Sequence, residues 1–162
     1  METINQTPTR FPRRPPRLPR VFQDVEPFYF ITFNTHQRQS LLANQPLHNT
    51  FLAFCSEAHK RSIAVGRYCI MPDHIHLFVK LPPEGITLPK WLQALKAILG
   101  KELLRQGQQK PHWQEGFFDH LFRTGNSYSE KWEYVRQNPV RKNLVSKSDD
   151  WPYQGEIVTI MW

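Results

Sequence analysis

The stretch YCIMPDHIHLFVKLP, residues 68–82, decides the fold. A β-strand turns successive side chains to opposite faces, so Ile75, Leu77, Val79 and Leu81 share one face and His74 and His76 share the other. The apolar set calls for a core to cover it. The histidines do not belong to that core by pattern, so something else must approach them. Upstream, AVGRYCIM at 64–71 has strand composition, and Pro72-Asp73 supplies turn chemistry between the two runs. The expectation is a β-hairpin with His74 at its corner.

Working outward, FYFITFNT at 28–35 is rich in aromatic and β-branched residues with no breaker and reads as a buried strand. Leu47, Phe51, Phe54, Cys55 and Ala58 keep helical spacing, with His48 and His59 off the apolar stripe and expected to face solvent. Leu88, Trp91, Leu92, Leu95, Ile98, Leu99 and Leu103 mark a second helix, and HWQEGFFDHLFR at 112–123 holds a short strand. Strand, helix, hairpin, helix, strand is the order of an α+β, ferredoxin-like fold: an antiparallel sheet with two helices on one face. His74 and His76 then lie on the face away from both helices.

A last helix is expected at about residues 128–138, started by a Ser127/Glu130 capping box and ended before Pro139. On it Tyr128, Trp132 and Val135 fall in one stripe, while Tyr134 and Asn138, at i and i+4, share another face. Asn138 has a carbonyl oxygen to offer a metal or a hydrogen bond to offer a substrate.

Bulk properties narrow the function. At 162 residues the chain suits one domain, expected over 28–162, preceded by an extended or disordered arm over 1–27 in which PTRFPRRPPRLPR alternates Pro with Arg. A formal charge of +7 favours an anionic partner, nucleic acid first. Aromatic residues, 13% of the chain, make stacking on unpaired bases available. No apolar run has the roughly 18–20 residues of a membrane span, and the N-terminus lacks a secretory pattern. With only Cys55 and Cys69 present, a soluble protein of a reducing cytosol is expected, with no membrane partner. Cys69, near His74, reads as packing rather than as a ligand.

Taken together, MPDHIHLFV at 71–79, WQEGFFDHLFR at 113–123, YVRQNPVRKNLV at 134–145 and WPY at 151–153 resemble the REP-associated tyrosine transposases, bacterial single-strand DNA transposases of the HUH class. The resemblance covers residues 28 to about 153, in the family's order. It implies that His74 and His76 are metal ligands, that Asn138 stands at the third, amide ligand, and that Tyr134 is the nucleophile. Asp73 stands where the family often has Asn, a change that suits the turn equally well.

The chemistry so implied is metal-dependent transesterification with Mg²⁺ or Mn²⁺, forming a 5′-phosphotyrosine and a free 3′-hydroxyl near REP-type hairpins in single-stranded DNA. The setting would be the bacterial cytoplasm, in association with the nucleoid, and the protein a monomer or homodimer. Candidate phosphate contacts are Lys80, Lys96, Lys101, Arg123, Arg136, Arg141 and Lys142, with Arg123 and Arg141 favoured because they lie inside the motifs. The rival readings are a domesticated, non-catalytic hairpin-binding protein, a hydrolase using water, and a structural zinc protein.

Overall fold

Alternation along 74–80 is satisfied by two separate cores, one on each face of a five-stranded antiparallel sheet. The computed structural model describes residues 26–161, so the expected Pro/Arg arm lies, except for Glu26 and Pro27, outside the described residues. The elements are β1 (Phe28–Asn34), α1 (Gln45–Ala58), β2 (Ala64–Ile70), β3 (His74–Lys80), α2 (Leu88–Arg105), β4 (Phe118–Leu121), α3 (Gly125–Arg136), α4 (Asn138–Arg141) and β5 (Gln154–Glu156). Strand order is β4-β1-β3-β2-β5. The first four strands make the ferredoxin-like arrangement, and β5 extends it past β2.

On the first face, Ile31, Phe33, Val65, Ile70, Ile75, Leu77 and Val79 meet Leu47, Phe51 and Cys55 of α1 and Trp91, Leu92, Leu95, Leu99 and Leu103 of α2. Each such side chain contributes roughly 1.5–3 kcal/mol by leaving water. On the second face, Phe28, Phe30, Cys69, Met71 and Phe78 are covered by Phe122, by Tyr128 and Val135 of α3, and by Trp151 and Ile160 from the C-terminal segment. The indole of Trp151 donates to the Ile70 carbonyl at 3.0 Å and ties that segment to the edge of the hairpin.

The β2–β3 pairing is not uniform. Val65 lies opposite Val79 and Tyr68 opposite Leu77, so β2 carries one extra residue at a bulge around Gly66 and Arg67. Gly66 also admits a close approach, since a Cβ there would sit 2.8 Å from Ile160 Cδ1 and 3.1 Å from the Tyr128 hydroxyl. Beyond the bulge, Tyr68 and Ile70 face the helices while Cys69 faces the histidines. Both cysteines are free and buried. Burial pushes the Cys69 thiol up to about 12, which keeps it protonated and suits packing.

Three local expectations change. His48 is buried rather than solvent-facing, because α1 rolls it onto Tyr68, whose hydroxyl lies 2.8 Å from His48 Nε2. The last long helix starts earlier than a Ser127/Glu130 capping box requires. Thr124, in extended conformation at φ −142°, is the cap, and its hydroxyl accepts from the Ser127 amide. The helix also stops at Arg136, and residues 138–141 form a separate turn. The strand within 112–123 is confined to 118–121, with Trp113 bridging Thr35 on its own.

The His48–Tyr68 pair yields two expectations. Burial raises the Tyr68 hydroxyl to about 12, with charge on Cys55 and Cys69 adding to the rise, so it keeps its proton and donates to His48. Tyr68→Phe leaves His48 without a partner on either ring nitrogen, Nδ1 having none already, and is expected to cost about 1–3 kcal/mol in urea denaturation. Burial also holds the His48 pKa below its ordinary value. The unfolded chain therefore binds the proton first, and the stability contributed is present above about pH 6.5 and falls as pH drops below it. The melting temperature in EDTA should decline from pH 7 to pH 5, with a shallower slope in His48→Gln.

Candidate metal and nucleophile site

His74 opens β3 directly after the turn at 71–73, and its side chain is clamped from behind. Its Nδ1 lies 2.7 Å from Asp73 Oδ1. The other Asp73 oxygen accepts from Arg38 Nε at 2.8 Å, and Arg38 Nη1 donates to Asn34 Oδ1 at 2.8 Å. Arg38 reaches both from a one-turn helix, His36–Arg38, in which Gln37 and Arg38 have positive φ. His76 is held by the neighbouring strand. Its register partner Thr32 places Oγ1 2.7 Å from His76 Nδ1, and Phe30 stacks on the imidazole with centroids 5.5 Å apart.

With each Nδ1 occupied, the Nε2 atoms of the two rings converge at 3.1 Å. The third group is Asn138, whose amide nitrogen lies 3.1 Å from His74 Nε2 and 3.2 Å from His76 Nε2. Pro139 has no amide to donate back to α3, so the helical ladder is interrupted at Gln137 and resumes at Asn138 as α4. Asn138 is 9% exposed at the first position of that turn.

Electrostatics keep both imidazoles neutral at pH 7. For His74, burial lowers the pKa, opposed by the Asp73 carboxylate and reinforced by charge on Arg38 and Lys142. For His76, burial leads, followed by charge on His74, Lys131, Arg141 and Arg38, and the pKa falls to about 3. Burial alone would raise the Asp73 carboxyl, but its bonds and charge interactions with His74 and Arg38 outweigh this and hold it below the usual carboxylate range.

The donors suit a divalent cation. Among the described residues no cluster of three His, Cys, Asp or Glu side chains offers a metal site, so any such site needs the amide. Two Nε2 lone pairs and Asn138 Oδ1, presented by a half-turn of the amide, would supply the ligands. The two Nε2 atoms and the Asn138 amide lie within 3.1–3.2 Å of one another, close enough for all three side chains to hold one cation. Each imidazole has the hydrogen-bonded second nitrogen that metal-binding histidines show.

Tyr134 stands apart from the triangle. It is 62% exposed on α3, with the Arg141 guanidinium 4.0 Å above its ring and Lys131 Nζ 5.7 Å away. Lys131 also lies 5.1 Å from the Phe30 ring, so a run of rings and cations leads from Tyr134 to His76. A cleft of about 360 Å³ opens beside it, lined by His120, Phe122, Ser127, Glu130, Lys131 and Tyr134. The interruption at Gln137 divides Tyr134 and Asn138 between α3 and α4, and Arg141 of α4 reaches back over the Tyr134 ring.

The basic candidates separate into groups. Arg141 and Lys142 border the site, being among the charges that act on His76 and His74. Arg123 is exposed just past the end of β4. Arg136 pairs with Asp149 at 2.9 Å and donates to Ser148, joining α3 to the segment before Trp151. Lys96 and Lys101 stand on α2, which packs on the other side of the sheet. Lys96 donates to the Gly116 carbonyl at 2.8 Å. Lys80 pairs with Glu26 at 3.2 Å. The residues missed by sequence reasoning are Asp73, Arg38, Thr32, Phe30 and Lys131. Only Asp73 had a local signal, a carboxylate beside a histidine in a turn.

Comparison with known proteins identifies the family and the fold. The family described as "Transposase IS200 like" matches residues 27–138, from β1 through the amide of the triangle. A Haemophilus influenzae protein named as a REP-associated tyrosine transposase is 30% identical over 97 residues, covering 54% of this chain and 55% of that protein. The chain thus spans about half the length of that relative. The structure of a REP-associated tyrosine transposase bound to a REP hairpin superposes with a TM-score of 0.63 at 22% identity, over 83% of this chain and 79% of that one. A Deinococcus radiodurans protein named as a transposase does so at 0.51 and 16% identity, over 75% of this chain and 96% of that one. With the family matched over most of its length and the fold shared, this chain belongs to the IS200-like transposases.

Proposed function

We propose that this protein is a divalent-metal-dependent, single-tyrosine strand transferase acting on single-stranded DNA beside REP-type hairpins. The observation that carries the reading is the convergence of His74 Nε2, His76 Nε2 and the Asn138 amide to within 3.1–3.2 Å, Asn138 lying more than sixty residues beyond the two histidines in the chain. The REP-associated relative and the hairpin-bound neighbour support the choice of DNA.

Bound Mg²⁺ or Mn²⁺ would supply charge relief at a phosphate oxygen and orient the phosphodiester. His74, His76 and Asn138 would hold it; the Asp73 carboxylate, an acceptor, keeps His74 in the tautomer that presents Nε2, and Thr32 Oγ1 anchors the Nδ1 side of His76. Tyr134 is the nucleophile. Its Oη–phosphorus bond forms as the bond to the 3′-oxygen breaks. The phenolic proton leaves to solvent, and the 3′-oxygen ends as a hydroxyl. The phosphodiester bond energy is retained in the 5′-phosphotyrosine, so rejoining needs no nucleotide cofactor. Arg141 and Lys131 place positive charge beside Tyr134, where the phosphate must approach.

The test is denaturing electrophoresis after incubation with end-labelled single-stranded hairpin DNA. Wild type with Mg²⁺ or Mn²⁺ should give an adduct resistant to SDS on the fragment 3′ of the cut, absent in EDTA and in Tyr134→Phe. Cleavage persisting in Tyr134→Phe would indicate water as the nucleophile. Tight hairpin binding with no cleavage under any metal would make the protein a binding module.

The clamp behind His74 has its own expected outcome. Asp73→Ala should weaken Mn²⁺ binding by about 10–100-fold in calorimetric titration, because the ring loses the partner that fixes it. Asp73→Asn retains an oxygen that accepts from Nδ1–H and should keep most of the affinity.

A further inference from the structure

We infer that the outward face of β4, Phe118 with His120, is a stacking site for an unpaired nucleobase of single-stranded DNA. The inference rests on the proposed single-strand DNA reading of the neighbouring site and adds a place where the strand is held. It begins from register. Phe118 lies opposite Thr32 and His120 opposite Phe30 across the β4–β1 pair. Thr32 is in turn opposite His76 across β1–β3. Alternation therefore sets both β4 rings on the sheet face that carries the histidines, two strand spacings or about 10 Å from β3.

Phe118 does not fill a core. It is 56% exposed, whereas Phe28, Phe30 and Phe78 on the same face are at most 4% exposed. Its ring meets only the edge of Phe30 among the described ring contacts, at 6.4 Å, leaving a π-face open. His120, also exposed, lines the cleft shared with Lys131 and Tyr134. The surface thus joins an open aromatic ring, a cleft and the Tyr134 side chain in one continuous strip.

Charge selects the occupant. Lys131 lies within the strip and Arg141 at its border, against Glu130 in the cleft wall; Asp119 points from β4 to the opposite face. An exposed ring among cations, on a chain of net charge +7, fits an anionic strand with unpaired bases better than an apolar peptide. A duplex buries its base faces and has none to offer Phe118.

The experiment measures anisotropy of a short fluorescein-labelled single strand of mixed sequence, and of the same sequence as a blunt duplex, with wild type, Phe118→Ala and Phe118→Trp. Phe118→Ala should bind the single strand about tenfold more weakly and leave duplex binding unchanged, and Phe118→Trp should restore single-strand binding. Substituting 5-iodouracil into the strand should yield photo-crosslinks at Phe118 or His120. Because the side chain is exposed on an edge strand, its loss should not disturb folding, which circular dichroism checks. Unchanged single-strand affinity in Phe118→Ala, equal losses for single strand and duplex, or an altered oligomeric state in place of a binding defect would each overturn the inference. Adduct formation by wild type alongside any of these leaves the strand-transferase reading standing. Failure of wild type to bind the single strand at all overturns the inference, while adduct formation on hairpin DNA decides the strand-transferase reading separately.

Discussion

The site depends on the register of β1 against β3. Asn34 opposite His74 and Thr32 opposite His76 are what bring Arg38, through Asn34, and the Thr32 hydroxyl to the backs of the two imidazoles. Register is set by having a core on both faces. A slip of one residue would drive His74 and His76 among Leu47, Phe51 and Leu95 and expose Ile75 and Leu77 to the Phe30 side. The apolar alternation that makes β3 a good strand is therefore also what aims the histidines.

The second constraint is the helix break. A continuous helix through 125–141 would carry Asn138 along the α3 axis. Pro139 has no amide to continue the ladder, the helix is interrupted at Gln137, and the Asn138 amide lies at the imidazoles while Tyr128 and Val135 hold α3 against Phe78 and its neighbours. The break thus divides two tasks between adjacent segments. α4 delivers a buried polar group to the triangle, and α3 leaves Tyr134 on the surface.

How far the sequence carried the reading follows from how local each determinant is. The strand and helix order, the two helices on one face, and the histidines on the other were legible because each depends on periodicity within a single element. His74, His76 and Asn138 were singled out by the resemblance of their motifs to a known family, and the structure brings the three side chains together. Thr32 and Arg38 were not, because their roles exist only once β1 pairs with β3. Asp73 was legible as turn chemistry, yet its carboxylate does more, bridging His74 and Arg38. His48 was misplaced because helical phase puts it beside the apolar stripe, and only the bulge in β2 determines that Tyr68 will meet it. The capping box at Ser127 failed for a related reason: Thr124, three residues earlier, was equally able to cap and adopts the extended conformation a cap requires.

Burial on the histidine face has a chemical consequence as well as a structural one. Phe30 stacked on His76, with Phe78 next along the strand, excludes water from one side of the imidazole, and the nearby cations Lys131, Arg141 and Arg38 further disfavour its protonation. A neutral imidazole keeps its Nε2 lone pair, which is the form that binds a cation. The same cations that keep His76 neutral are those an incoming phosphate would meet. Aromatic packing and positive charge, which in a simple core would work against each other, here act on the one ring in the same direction, and together they leave its Nε2 lone pair unprotonated.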